Sequence, residues 1–238
     1  MSDNKMGAKK HQPRGLEIVY EDREIIVVDK ISGLLSMGTD RDKQHCAHFL
    51  LNAYVKKGNP KSRERVFIVH RLDRDTSGLL VFAKSEKAKF FLQQNWADFR
   101  KKYVAVLGGK LNDKEGIIES YLAENKMFKV YSTKNKAMGK FAKTGYRVLK
   151  ESEKYSLVEI DLFTGRKNQI RVHFAEKGHP VAGDKVYGLA DKAVKRLMLH
   201  SCSLTIKHPV TQKEMTFETG IPACFNALMS AKDSKSKS

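Results

Sequence analysis

After Tyr103, apolar and polar side chains alternate with a period of two for about sixty residues, a pattern that suits strands and not helices. The segments Tyr103 to Leu107, Ile117 to Leu122, Phe128 to Ser132, Thr144 to Leu149 and Tyr155 to Phe163 are set apart by polar or glycine-containing turns. Strands joined by short turns pair antiparallel. In the last segment Val158, Ile160 and Leu162 face one way, and Glu159 and Asp161 face the other. This predicts a strand with one wet face.

Other segments add helices and covered strands. Ile25 to Val28 is a continuous apolar run, which suits a strand buried on both faces, and Gly33 then marks a turn. In Gln44 to Lys57, Ala47, Leu50, Leu51 and Tyr54 recur at helical spacing until Gly58-Asn59-Pro60 stops them. Val66 to Val69 and Leu79 to Ala83 read as strands. From Ser85, a candidate N-cap, Ala88, Phe91, Leu92, Trp96 and Phe99 mark an amphipathic helix. That spacing makes Trp96 a core residue and not a ligand platform. A short helix is expected near Lys167, with Ile170 and Phe174 one turn apart and Gly178 placed as a C-cap. Leu197 to Ile206 and Glu214 to Glu218 follow as strands, and Ala223 to Met229 as a closing helix. There is no internal repeat and no Pro/Gly/Ser-rich linker. The expectation is one α+β domain over residues 15–230, a mixed, mostly antiparallel sheet with flanking helices and loops, between mobile tails at 1–14 and 231–238. A division into two halves is the alternative.

Charge narrows the partners. Lys and Arg total 45 against 27 Asp and Glu, a net +18 in 238 residues. The two tails hold +3 and +2 of this, so the body keeps +13. A basic body suits RNA, DNA or an anionic membrane surface, although a lysine-rich, merely solvated surface gives the same sum. The stretch Lys126 to Lys143 has lysines and no acid. It reads either as a phosphate-facing hairpin or as a solvated edge that discourages strand pairing. Cys46, Cys202 and Cys224 are far apart and form no C-x-x-C pair, which argues against a metal site and a disulfide framework. No apolar stretch reaches membrane-spanning length and the first residues lack a signal-type apolar region. A cytoplasmic monomer that binds neither membrane nor metal is expected.

Two polar segments are candidates for chemistry. His70-Arg71-Leu72-Asp73-Arg74-Asp75-Thr76-Ser77-Gly78 lies between two apolar strands, where a rigid scaffold can present its side chains; the bland reading is a turn with ion-paired arginines. Phe163-Thr164-Gly165-Arg166-Lys167-Asn168-Gln169-Ile170-Arg171-Val172-His173 places glycine and basic residues at a strand end before a helix, where anions bind; alternatively, Arg166 and Arg171 pair with nearby acids. A kinase catalytic loop is excluded, because Leu72 interrupts His-Arg-Asp and the other kinase parts are missing.

HRLDRDTSGLLVFAK and TGRKNQIRVHFAEKGHPVAGDKVYG resemble the two signature segments of the RluA-type family of RNA pseudouridine synthases. KKYVAVLGG and RLMLHSCSLTIKHPVTQKEMTF match further segments, so the likeness spans roughly residues 16 to 228. It implies the pseudouridine synthase fold and isomerisation of uridine in ribosomal or transfer RNA without a cofactor. It also implies that Asp73, and not Asp75, is catalytic, that Arg171 pairs with it, and that Tyr103 stacks on the target base. Pairing of that kind holds a carboxylate ionised and fixes its rotamer. Arg71 is expected to fill the gap left by a flipped uridine, and Arg166, Lys167 and Asn168 to touch RNA. Lys167-Asn168 stands where the family usually has Thr or Ser then His, and K-I-S-G where K-P-x-G is common, so local RNA contacts are expected to differ. With so few residues before the first strand, the S4-like domain of many relatives is not expected here. A non-catalytic RNA-binding or ribosome-assembly module on the same fold, and an N-glycosidase releasing uracil, are the competing functions.

Overall fold

The computed structural model describes residues 12–38, 42–188, 191 and 194–230. Both expected tails lie outside these, except Gln12 to Arg14. These three lie against the first strand: Gln12 Oε1 accepts the Ile18 N–H at 3.3 Å and the Pro13 carbonyl accepts that of Leu16 at 3.0 Å.

The elements run β1 (Leu16–Glu21), β2 (Ile25–Lys30), α1 (Ala47–Val55), β3 (Phe67–Ile68), β4 (Ser77–Ala83), α2 (Glu86–Gln94), β5 (Arg100–Gly108), β6 (Glu115–Glu124), β7 (Val130–Thr133), β8 (Lys140–Glu151), β9 (Tyr155–Leu162), α3 (Gln169–Glu176), β10 (Leu199–Lys207), β11 (Glu214–Glu218) and α4 (Ala223–Ser230). All strands join one sheet in the order β1-β2-β4-β10-β5-β9-β8-β6-β7, with β3 added on β4 and β11 on β10. Among the described residues only β4 and β10 run parallel, with Ser77 beside His200 and Gly78 beside Ser201. The mixed, mostly antiparallel α+β sheet is therefore as expected.

The continuous apolar strands are covered on both faces. Ile26, Val28, Leu80 and Phe82 enter a core closed by Leu51 of α1, Ile170 and Phe174 of α3 and Phe225 of α4. Ile25, Val27, Leu79 and Val81 point the other way, onto Ala88 and Leu92 of α2. Each such fully buried aliphatic side chain contributes ~1.5–3 kcal/mol. Gly78 makes the parallel seam possible: φ is +113°, and a Cβ there would lie 2.3 Å from the Ser201 carbonyl oxygen. The polar loop that precedes it is thereby held against β10.

Three local expectations change. Ser85 does cap α2, its Oγ accepting the Ala88 N–H at 3.1 Å, but the helix ends at Gln94, with Asn95 as its C-cap. Trp96 thus lies beyond the helix, half-buried: it packs against the core beneath α2, as expected, and it also stacks on His70 at 4.2 Å and lines a cleft. The strand at Val66 to Val69 shrinks to Phe67–Ile68, and Phe128 sits in a turn at φ 60°.

Candidate active site

A cleft of about 680 Å³ opens between the loop before β4 and the segment entering α3. Its lining includes Arg71, Asp73, Tyr103, Arg166, Lys167, Asn168 and Arg171, the full set named from the sequence. Residues from three distant parts of the chain meet there.

The loop is set by its own alternation and by stitching to the segment after β2. Leu72 is buried and Arg71 exposed, while His70 Nε2 accepts the Val81 N–H at 3.2 Å, so the loop's inward side chains tie it to the sheet. Burial, with the Lys101 ammonium adding to it, pushes the His70 pKa down to about 3, so the ring is a neutral acceptor. Ser36 Oγ donates to the Leu72 carbonyl at 2.8 Å and accepts its N–H at 3.0 Å. The Lys30 ammonium is fully buried and donates to the carbonyls of Ile31, Leu34 and Arg74 at 3.0, 2.7 and 3.2 Å. Its pKa falls to about 8 because burial outweighs the attraction of Asp75 and Asp73. Asp73 therefore projects from a loop fixed on both sides.

Arg171 comes from the first turn of α3. Nε and Nη2 donate to the two oxygens of buried Asp184 at 2.7 and 2.8 Å, while Nη1 donates to Asp73 Oδ2 and to Asn168 Oδ1, both at 3.2 Å. The Tyr187 ring lies 5.2 Å from the guanidinium carbon. Burial opposes the charge on Arg171, but the hydrogen bonds and charge of Asp184, then Asp73, raise its pKa further. Burial likewise works against the Asp184 carboxylate, yet Arg171 and the N–H groups of Tyr187 and Val186 hold its pKa below the usual range.

Tyr103 sits mid-sheet on β5, between Ser201 of β10 and Ile160 of β9, and is 7% exposed. Burial, reinforced by Asp73, pushes its phenol up to about 12 against an opposing hydrogen bond with Ser201, so it stays neutral. Asn168, at φ 53°, is engaged within the protein: its amide donates to Tyr187 Oη at 3.1 Å while its Oδ1 serves Arg171. Arg166 Nε donates to the Phe141 carbonyl at 2.9 Å, and Lys167 pairs with Glu124 and donates to the Phe128 carbonyl at 3.2 Å. Arg71 is exposed and stands two residues before Asp73 in the loop. Sequence reasoning missed Asp184, Lys30 and the cleft-facing position of Trp96; Gly183-Asp184 lay inside the second matched segment without a role.

The fold is that of pseudouridylate synthase domains. Human RNA Pseudouridylate Synthase Domain Containing 4 superposes with a TM-score of 0.73 at 23% identity, covering 88% of this chain and 90% of that one. Human RNA Pseudouridylate Synthase Domain Containing 1 gives 0.72 at 24% identity, over 89% and 86%. The RNA pseudouridylate synthase family matches residues 24–176. The Mycoplasma pneumoniae "Uncharacterized RNA pseudouridine synthase MG209 homolog" is 36% identical over 89% of this chain and 68% of its own length. The Borreliella burgdorferi "Ribosomal large subunit pseudouridine synthase D" is 39% identical over 80% and 61%. The chain belongs to the RNA pseudouridylate synthase family, in its RluA-type branch, and spans about two thirds of the length of these relatives. Among the described residues no helix is long and apolar enough to cross a membrane.

Proposed function

We infer that the chain is an isomerase that converts uridine in RNA to pseudouridine, with Asp73 as its catalytic carboxylate. The observation that carries the assignment of Asp73 is its carboxylate, 3.2 Å from Arg171 Nη1 in the cleft. A carboxylate near C1′ can attack that carbon as a nucleophile or take a proton from the sugar, and either step lets the N1–C1′ bond break. The uracil then turns and joins C1′ through C5, losing the C5 hydrogen while N1 gains a proton. Retaining glycosidases employ two carboxylates and admit water; here the detached base must be kept from water and held in place. Tyr103, neutral and mid-sheet, is suited to stack on the base, and Arg71 to occupy the gap it leaves in the RNA stack. Arg166 and Lys167 at the rim are suited to phosphates.

We take structured ribosomal or transfer RNA in the cytoplasm as the substrate; likeness to bacterial proteins named ribosomal large subunit pseudouridine synthase D favours ribosomal RNA. The test is tritium release from RNA carrying C5-tritiated uridine. Wild type is expected to release it, and Asp73→Asn to abolish release while keeping RNA affinity. Full activity in that variant would overturn the role of Asp73. Binding without release from any RNA would favour a non-catalytic module, and abasic sites would mean an N-glycosidase.

A further inference from the structure

The stretch Lys126 to Lys143 can be read as a phosphate-facing hairpin or a solvated edge, and its geometry goes beyond either. Asn125 closes the β6–β7 turn. Its Oδ1 accepts the N–H groups of Met127 and Lys129 at 3.0 Å each, and its carbonyl accepts that of Phe128 at 2.9 Å. Asn135 closes the next turn in the same way, with Oδ1 on the Ala137 N–H at 3.0 Å and its carbonyl on the N–H groups of Met138 and Gly139. These braced turns hold large apolar side chains in water: Met127 is 84% exposed, Phe128 75% and Met138 65%. Phe128 does so at φ 60°, a backbone state that bulky residues seldom occupy, and the braced turn sets where its side chain leaves the backbone. Lys126 and Lys129 flank Met127 and Phe128 in the chain, and Lys134, Lys136 and Lys140 flank Met138; the Lys129 ammonium lies 5.6 Å from the Tyr187 ring centroid and that of Lys136 5.7 Å from that of Tyr121.

The turn is also anchored to the cleft. Lys167, which lines it, donates to the Phe128 carbonyl and lies 5.6 Å from the ring centroid, and Arg166 holds the Phe141 carbonyl. An exposed aromatic ring on a braced turn, with lysines on either side of it in the chain and the cleft beside it, matches the chemistry of an unpaired base with its two phosphates. Bases stack on such a ring with little regard to sequence, whereas a duplex offers no free base face.

We propose that Phe128, with Met127, is a stacking finger for an unpaired nucleotide of the substrate RNA outside the cleft, bracketed by Lys126 and Lys129. The finger selects loops over duplexes. This rests on the RNA substrate inferred above.

Binding is measured on a stem–loop RNA with a uridine-containing loop and on a blunt duplex of the same length, over a range of salt. Phe128→Ala is expected to weaken stem–loop binding about tenfold at every salt concentration, leaving the duplex and the salt slope unchanged. Phe128→Tyr, which keeps the ring, should bind as wild type does. Lys126→Glu with Lys129→Glu should instead flatten the salt slope on both RNAs. Wild-type affinity in Phe128→Ala overturns the finger and leaves the patch to a protein partner; equal loss in the alanine and tyrosine variants overturns it too, as a fold defect. These readouts need no turnover, so absence of tritium release from wild type would defeat the proposed function while still deciding the finger.

Discussion

Arg171 reaches Asp73 with a single nitrogen, Nη1 at 3.2 Å, because Nε and Nη2 are both taken by Asp184 at 2.7 and 2.8 Å. The guanidinium is therefore aimed by one carboxylate at another, and Asp184 acts as a positioning residue.

Arg171→Lys puts a point charge where a planar fork serves two acids at once. It should lower kcat by about 100-fold with KM little changed, since misplacement of this size mainly costs orientation. Asp184→Asn leaves a buried cation half-paired and should cost about 3 kcal/mol in urea unfolding. Full single-turnover activity in Arg171→Lys would refute the aiming role.

Lys30 gives the unfolding free energy an alkaline signature. Its folded pKa is about 8 against the ordinary 10.5 of a lysine, so between these the unfolded chain binds more protons and stability from this group rises with pH. The rise should total about 3 kcal/mol and be missing in Lys30→Met. The variant should also lose kcat, because the carbonyls of Ile31, Leu34 and Arg74 no longer share an ammonium. Parallel stability curves for the two proteins from pH 8 to 10.5 would contradict this.

Acid acts through buried histidines. Burial pushes His173 and His200 down to about 4, and His70 to about 3, from 6.5. With folded values depressed, the stability they contribute is complete above pH 6.5 and is lost as pH falls towards 4. At pH 5 each of His173 and His200 should cost about 2 kcal/mol, seen as a drop in urea midpoint relative to pH 7. A flat profile over that window would rule out neutral burial.

Trp96 is the chain's one tryptophan and faces the cleft from its stack on His70. RNA titrated into the Asp73→Asn variant should quench and shift its emission with the midpoint found by direct binding. Emission indifferent to saturating RNA would place the RNA elsewhere.

What the sequence disclosed follows from where the information lies. β2, β4 and β9 were legible because burial on one or both faces dictates their side chains; the two dense polar segments stood out beside apolar strands, but the choice of Asp73, Tyr103 and Arg171 within the cleft came from the resemblance to the RluA-type family. The setting of Lys30 was not, since its acceptors are backbone carbonyls, which leave no mark in side-chain identity. Asp184 was hidden by distance, thirteen residues beyond Arg171 and across a turn. Helical spacing ran on to Trp96 and Phe99, but the helix ends at Gln94 and both rings reach the same core from the turns that follow. A period alone does not say where the helix stops.

Strand β10 lies between β4 and β5, although β6 to β9 and α3 are all made before it. On the ribosome, the facing edges of β4 and β5 must therefore wait unpaired while the intervening chain emerges, a period when bare edges invite wrong partners. The Asp73 loop receives its floor only when Leu199–Lys207 threads into that gap. A nascent chain cannot reach RNA chemistry before this late insertion, so the order of synthesis itself keeps unfinished copies inert.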